Sequence, residues 1–544
     1  MHIEARQRVA RVAVILTCVI LASRVWFIFF RYLDFDEFEH AHATWSVSRG
    51  LVPYVDFFEH HTPWLYLLFA PLFPHFATDT DPTAAAGLLV VLRLVMWAIS
   101  IASVACVYEL GRLWRDRFTG VLAAFLFASA SQFQDVILEY RPDGPALLCV
   151  LLCLIAVMHG WRSNRTAGAA VLFTLGGLAL GAAVLFTQKA LFVLPGLAAA
   201  LVAYVWEREP KSTGRWRRRA MLVALCAAGA IAPVAWTAYW FDAHQALDAF
   251  VHYNVDVNVA QNAARFSPLP KLLSHLVHSP ALMVLGLGGF VVSAMSAWAG
   301  TAGCRLVLLG TAASLWVGVF VIPRVYDHYL VTYFPHLAVF TSSWAIELVS
   351  RIGPRLNGRA WFGPALVLAP AASLAALVVG VEHPTSVAGA AMIVSFTLAA
   401  MLAAAVVAVW QHARPETAAC LALAALVALQ AGNLARVFRP IAPQLADLAY
   451  VTTHTRPTDT VLGATSGPGV FRPHAWYYFF LSGPFATDRE FAELIESLES
   501  ERRRPQIVIF GENERRRLPL EVWTYVRQHY RNVRGDLYER LPQH

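Results

Sequence analysis

Runs of about 20 apolar residues recur along this chain, and each is long enough to cross a bilayer as a helix. Of 544 residues, 58% are hydrophobic and 15% charged, where a soluble chain carries about 25% charge. That much apolar surface exceeds what a water-soluble core encloses, so the chain reads as an integral membrane protein. The runs are continuous rather than alternating, which argues against a transmembrane barrel. Candidate spans fall at 9–30, 84–110, 118–135, 143–160, 167–186, 189–206, 219–241, 279–298, 304–323, 329–349, 361–381, 387–411 and 416–435, about 13 in all. The seven cysteines lie in or beside apolar runs with no CxxC spacing, so no disulfide or zinc framework is expected.

The first run follows Arg6, Arg8 and Arg11 and ends in aromatics rather than a small-residue cleavage site, so it reads as an uncleaved first helix. With the N-terminus placed in the cytoplasm, alternate loops collect Arg112, Arg115 and Arg117, then Arg162 and Arg165, the basic run 208–219, Arg305, Arg351, Arg355, Arg359 and Arg414. The opposite loops hold only Arg31, Arg49, Arg141, Lys189, Arg265, Lys271 and Arg324. This asymmetry is the positive-inside pattern. It also explains the net charge of +7 without nucleic acid. An odd number of spans then places the end of the chain outside the cell membrane.

The outer loops are poor in charge, but their charges are clustered at helix ends. The densest stretch is Asp34–Pro63, DFDEFEHAHATWSVSRGLVPYVDFFEHHTP. The others are Glu139, Arg141 and Asp143 in ILEYRPD, Gln188 and Lys189, and Arg324, Asp327 and His328 in PRVYDHY. Ionisable groups at membrane depth are costly and tend to be paired and functional, although any one of them also reads as an interfacial charge with a snorkelling stem. Within the first external loop (31–83), Asp36 and Glu39 have capping-box spacing. Phe38, Ala41 and Trp45 form an apolar stripe, so 37–49 is expected to be an amphipathic helix lying in the interface. WLYLLFAPLF (64–73) is too short to span and is expected to be a second interfacial helix. Region 242–278 reads as a surface helix, its alternative being a substrate-groove lining built on His252, Tyr253, Asn254, Asp256 and Asn258.

From 441 to 544 the composition turns polar. TVLGAT (460–465) and QIVIFG (506–511) read as buried strands, flanked by the helical patterns FAELIESLESERRR and LEVWTYVRQHY. A small extracytoplasmic α/β domain is expected there, after a transmembrane catalytic domain over 1–440. GPGVFRPHAWYYFF (467–480) is aromatic enough to pack on the membrane surface.

The chain resembles bacterial GT-C glycosyltransferases related to protein O-mannosyltransferases and to the aminoarabinose transferases that modify lipid A. The resemblance rests on the acidic pair Asp36 and Glu37, and on the run Gly50, Pro53, Tyr54, Asp56, Phe57 and Phe58 followed by Pro63. It extends to Glu139, Arg141, Pro142 and Asp143, to Lys189, and to Arg324, His328 and Tyr329, covering about residues 30 to 440. One departure is plain: many relatives carry Lys-Pro-Pro where this chain has His60-His61-Thr62-Pro63. The resemblance implies a GT-C membrane enzyme that moves a sugar from a polyprenyl-phosphate donor to a lipid, glycan or protein hydroxyl, among membrane lipids at the outer face of the bacterial inner membrane.

A phosphate leaving group needs little general acid, so one carboxylate suffices to orient and deprotonate the acceptor, and single displacement inverts the anomeric centre. The expected base is Asp36, supported by Glu37; read from the bare residues, Asp36 serves equally as an N-cap. Lys189, Arg324 and His328 are the expected phosphate partners. Tyr54, Asp56, His60, His61, Glu139, Arg141, Asp143 and Tyr329 complete the expected substrate-binding set. A divalent metal is left open: some GT-C relatives use one and others do not, and no HExxH-type spacing is present. The rival class is a lipid or sugar transporter or flippase, but transporters more often set polar groups at mid-membrane on broken helices.

Overall fold

In the computed structural model the chain is mostly helical. The structure describes residues 3–130, 136–206, 213–261, 281–298, 303–321, 327–352, 438–463, 467–479, 488–500 and 504–542, with a few isolated positions besides. The order begins α1 (Ile3–Phe30), α2 (Phe35–Ser48), α3 (Trp64–Phe69), α4 (Pro82–Trp114) and α5 (Arg117–Ser129). It continues with α6 (Asp143–Arg162), α7 (Thr166–Phe186), α8 (Leu194–Trp206) and α9 (Thr213–Ala243). After a broken helical segment over 247–261 come α10 (Gly286–Trp298), α11 (Arg305–Val321) and α12 (Phe334–Ile352).

Among the described residues, six helical segments are long and apolar enough to cross a membrane: α1, α4, α6, α7, the stretch Gln188–Trp206 that includes α8, and Arg215–Ala243 within α9. Helices occupy the first ten expected spans, and the last three (361–381, 387–411 and 416–435) lie largely outside the described residues. Local signals set several starts. Asp81 accepts from Thr83 N ahead of Pro82 at the first position of α4, and Asp116 accepts from Thr119 N at the start of α5. α7 and α9 approach closely because Gly177 and Gly181 face the carbonyls of Cys226 and Ala230, where a methyl group would overlap them. Gly177→Leu should therefore force the pair apart, read as a loss of thermal stability in detergent of ~1–3 kcal/mol.

α2 departs from expectation in two respects. It is not an interfacial helix with a wet face, because Glu37 through Ser46 are all buried. The apolar stripe Phe38, Ala41 and Trp45 shares one buried cluster with Leu88 and Leu92 of α4 and with Phe471, while His40 and His42 meet Tyr66, Val470 O and His474. The capping box is also shifted. Asp34 is the N-cap and accepts from Asp36 N at 3.1 Å, while Glu37 accepts from Asp34 N at 2.9 Å. Asp36 is therefore released from capping. The helix ends at Gly50, whose φ of +86° lets the chain turn away.

What covers α2 is the end of the chain. α13 (Ala442–His454) and the residues just before it tie back to the α1–α2 loop through Tyr32 N to Arg439 O (2.7 Å) and Leu33 N to the Gln444 side chain (2.7 Å). The expected strands appear as β1 (Val461–Leu462) and β2 (Ile507–Ile509), paired parallel. A hairpin of β3 (Tyr530–Arg534) and β4 (Leu537–Arg540), absent from the sequence reading, extends the sheet to the order β1-β2-β4-β3. α14 (Asp488–Glu499), α15 (Glu512–Arg517) and α16 (Leu520–His529) accompany it.

Residues 467–479 pack on the first loop. Phe58 N donates to Tyr477 O at 3.0 Å, the Tyr477 hydroxyl donates to Tyr54 O at 2.7 Å, and His42 Nε2 meets His474 Nδ1 at 3.0 Å. Burial pushes His42 down to about 3, with His474 adding to the shift, and pushes His474 down to about 4 against the opposing pull of Asp56. Both rings are thus neutral in the folded chain and protonate near 6.5 when unfolded. Their contribution is full above about pH 6.5 and is lost as pH falls toward 4. At pH 5 this predicts a loss of roughly 2 kcal/mol per histidine, seen as a fall in melting temperature that His474→Asn flattens.

Candidate active site

The shifted cap decides where the acidic side chains of α2 point. Glu37 turns inward, 1% exposed, and accepts from Arg93 Nε at 2.7 Å and Nη2 at 2.5 Å. Arg93, on α4, also donates to the carbonyls of Arg31 (2.7 Å) and Tyr32 (2.8 Å). One guanidinium therefore fastens the end of α1 and the loop to α2 onto the bundle, a use of arginine's five donors that lysine cannot reproduce. Glu37, expected beside the reaction, sits in this buried clamp.

Asp36 turns the other way. Its carboxylate lies 2.6 Å from Arg141 Nη2, and its side chain keeps 29% exposure. Arg141 is the hub of the cluster, reaching Glu139 at 3.3 Å, Asp143 at 3.6 Å and Asp34 at 3.7 Å. Glu139 also pairs with Arg31 at 2.9 Å, and Asp143 accepts from Lys189 at 2.9 Å. The Lys189 ammonium stands 3.8 Å from the centre of the Tyr329 ring. Burial raises the Glu139 carboxyl to about 8, against the pull of Arg31 and then Arg141. Glu139 and Asp143 have side chains exposed by 9% or less. Asp34 (38% exposed) and Asp36 (29% exposed) are the two carboxylates of this cluster in contact with solvent, and of the two Asp34 also serves as the cap of α2.

Other expected residues fall elsewhere. Arg324 and the side chain of His328 lie outside the described residues. Asp56 accepts from Val52 N at 2.6 Å within a turn. Tyr54 is buried, holds a positive φ of 71°, and donates to His61 O at 2.6 Å. Both shape the loop and are not brought to the Arg141 cluster. His60 and His61 gather with Glu59 and Glu39 next to it. Segment 242–278, where it is described, is helical over 247–261 and largely exposed, as expected of a surface helix, and its inward side carries polar contacts to the first loop. Asn254 is 7% exposed, its amide oxygen accepts from Gln188 at 2.9 Å, and Asn258 donates to His60 O at 2.9 Å.

Three participants were absent from the expected set: Arg93, Glu39 and Glu59. For Arg93 a signal existed, since a lone arginine inside an apolar span calls for a partner. For the glutamates, no one-dimensional spacing pairs position 39 with position 59.

No protein-family model matches the sequence, and no similar sequence is found among curated proteins. Solved structures do match. The chain is similar to ArnT from Cupriavidus metallidurans bound to undecaprenyl phosphate, with TM-score 0.63 and 14% identity over 96% of this chain and 97% of that one. The apo form of the same protein gives TM-score 0.59 and 13% identity over 94% of this chain and 90% of that one. The archaeal oligosaccharyltransferase AglB from Archaeoglobus fulgidus, in complex with an inhibitory peptide and a dolichol-phosphate, gives TM-score 0.50 and 12% identity. That match covers 93% of this chain and 69% of the other. By its fold, this chain is of the GT-C type, the architecture of ArnT and AglB.

Proposed function

We propose that the chain transfers a sugar from a polyprenyl-phosphate-linked donor to an acceptor hydroxyl at the outer face of the bacterial inner membrane, with inversion. The observation that carries this reading is Asp36, a partly exposed carboxylate that takes no part in the helix cap and pairs with Arg141 in an otherwise buried cluster, in a fold whose solved examples include one holding undecaprenyl phosphate. In this reading the acceptor O–H gives its proton to Asp36 as its oxygen attacks the anomeric carbon. The bond from that carbon to the phosphate oxygen breaks, and polyprenyl phosphate leaves as the anion.

Among the described residues, Arg141 pairs with Asp36 and Lys189 with Asp143, and these cations, with Arg324 and His328, are the candidates for the donor phosphate. The transmembrane part is taken as 1–440 and the sheet-bearing part as 441–544, outside the membrane. The acceptor class, whether lipid, glycan or protein, is read from the product by mass spectrometry. The test is transfer of labelled sugar by the full chain in proteoliposomes. Lys189→Met should raise the KM for the donor by ~10-fold or more, with the acceptor KM unchanged. A flippase, by contrast, moves the lipid-linked sugar across the bilayer without cleaving it.

A further inference from the structure

At the end of the bundle opposite Asp36 lies a cavity that the reaction above does not use. α6 begins at Asp143, in the Arg141 cluster, and its 20 residues carry the chain to Arg162, a rise of about 30 Å that matches the thickness of a bilayer core. There Arg162 donates to Leu113 O and meets Cys304 Sγ at 3.0 Å, which gathers the last turn of α4 and the residue ahead of α11. Between the ends of α4, α10, α11 and α12 lies a cavity of about 420 Å³, within the ~300–1,000 Å³ of small-ligand sites. Its walls include Arg115, Arg305, Ser293, Ser296, Ser350 and Glu347.

Three observations fit this cavity to the headgroup of an anionic lipid. First, both guanidiniums are anchored by one N–H each. Arg305 Nε donates to Trp114 O at 3.0 Å, with its guanidinium 5.5 Å from the centre of the Trp114 ring, and Arg115 Nη1 donates to Ser343 O at 3.0 Å. Among the described residues, neither Nη group of Arg305 has an acceptor, and Arg115 has Asp116 as a carboxylate neighbour at 4.0 Å. Second, two guanidiniums against the Glu347 carboxylate leave one net positive charge. That balances a single phosphodiester, and the hydroxyls around it suit a headgroup that itself carries hydroxyls. A zwitterionic headgroup brings no net charge to meet it. Third, the cavity opens on an apolar face. Val292, in its wall, is 38% exposed, and Val291 and Met295 beside it on α10 are 53% and 69% exposed. A lipid seated by its headgroup lays its acyl chains on this face, which a soluble phosphate leaves uncovered.

We propose that this cavity holds the headgroup of one anionic glycerophospholipid of the phosphatidylglycerol class, with Arg115 and Arg305 on the phosphate and the serines and Glu347 around the glycerol hydroxyls. Basic pockets between membrane helices on the cytoplasmic side are a recurrent form of lipid headgroup site. With Asp36 at the outer face, as in the reading above, this lipid belongs to the inner leaflet. It bridges the ends of α4, α10, α11 and α12 far from the reacting atoms, so its effect falls on the stability of the bundle.

The test uses the full chain, purified in detergent and stripped of lipid. Titrated with dioleoylphosphatidylglycerol, it should retain one lipid adduct ahead of all others in native mass spectra. The same lipid in the micelle should raise the melting temperature more than dioleoylphosphatidylcholine does. Arg115→Gln and Arg305→Gln should each weaken the adduct by ~5- to 10-fold. Ser293→Asp, which adds a second carboxylate and removes no guanidinium, should do the same. Arg165→Gln, at the same end of the bundle but outside the cavity, should leave it unchanged. Equal retention of phosphatidylcholine overturns the proposal, as does full phosphatidylglycerol binding in all three cavity variants. If glycerol 3-phosphate in solution stabilises the chain as strongly as the lipid, the site takes a soluble phosphate and the lipid assignment fails. Should the arginine variants aggregate, Ser293→Asp and the comparison of the two lipids decide. None of these readouts passes through sugar transfer, so the lipid site and the transferase reading stand or fall separately.

Discussion

Asp36→Asn is expected to lower sugar transfer by ~100- to 10,000-fold, the contribution of a positioned general base, while leaving the fold intact. Asparagine keeps the size of the side chain and still accepts a hydrogen bond from Arg141. The partly exposed position also spares the core a vacated charge. The informative control is Asp34→Asn, two residues away. Asparagine caps helices as well as aspartate does, so this variant should keep transfer within a few-fold if Asp34 serves only as the cap of α2. Both are measured as initial rates in proteoliposomes, normalised to protein that elutes as a monodisperse peak. Activity in Asp36→Asn within tenfold of wild type would remove Asp36 from the chemistry. Loss in Asp34→Asn instead would move the base to that residue.

Arg93→Met should be the most destabilising single change in the described membrane part. It leaves Glu37 charged, buried and without its bidentate partner, and it opens two carbonyls at the end of α1. Breaking one side of such a pair costs about 3–5 kcal/mol. Adding Glu37→Gln to Arg93→Met should recover a large part of the loss, because the orphaned charge goes with it. Arg93→Lys should recover little, since one ammonium cannot span the carboxylate and both carbonyls. Thermal unfolding in detergent reads all three. If Arg93→Met costs less than ~1 kcal/mol, the clamp is ornamental and α2 is held by its apolar stripe.

The sequence carried the membrane class and the place of the site better than it carried the site's internal arrangement. Hydropathy is a local property, so the long helices were legible from composition alone. The clustering of Glu139, Arg141, Asp143 and Lys189 near Asp36 followed from placing charged helix ends on one side of the bilayer. What failed were choices among near-equal local options. Asp34 and Asp36 can each begin α2, with Glu37 and Glu39 as respective box partners. Tertiary contacts decide between them: Arg93 draws Glu37 inward, and that selects Asp34 as the cap. The wet face assigned to α2 failed for a similar reason, because a polar side can be buried when its side chains find distant partners, as Glu37 does in Arg93 and His42 does in Val470 O and His474. The β3–β4 hairpin was missed because Arg, Glu and Asn interrupt its alternation, and its Gly535 turn was the one remaining cue.

The cover over α2 has a consequence for how the protein is made. The helix bearing Asp36 leaves the ribosome more than 400 residues ahead of His474, Tyr477 and the α13 segment that close over the first loop. Contacts of such sequence separation form late. During biogenesis the first loop must therefore wait, with its carboxylates and histidines still hydrated, until the segment 439–479 has been made. A chain that stalls before residue 440 would leave α2 uncovered. Assembly order thus acts as a checkpoint: the cluster around Asp36 is closed over only once the segment that covers it has been synthesised.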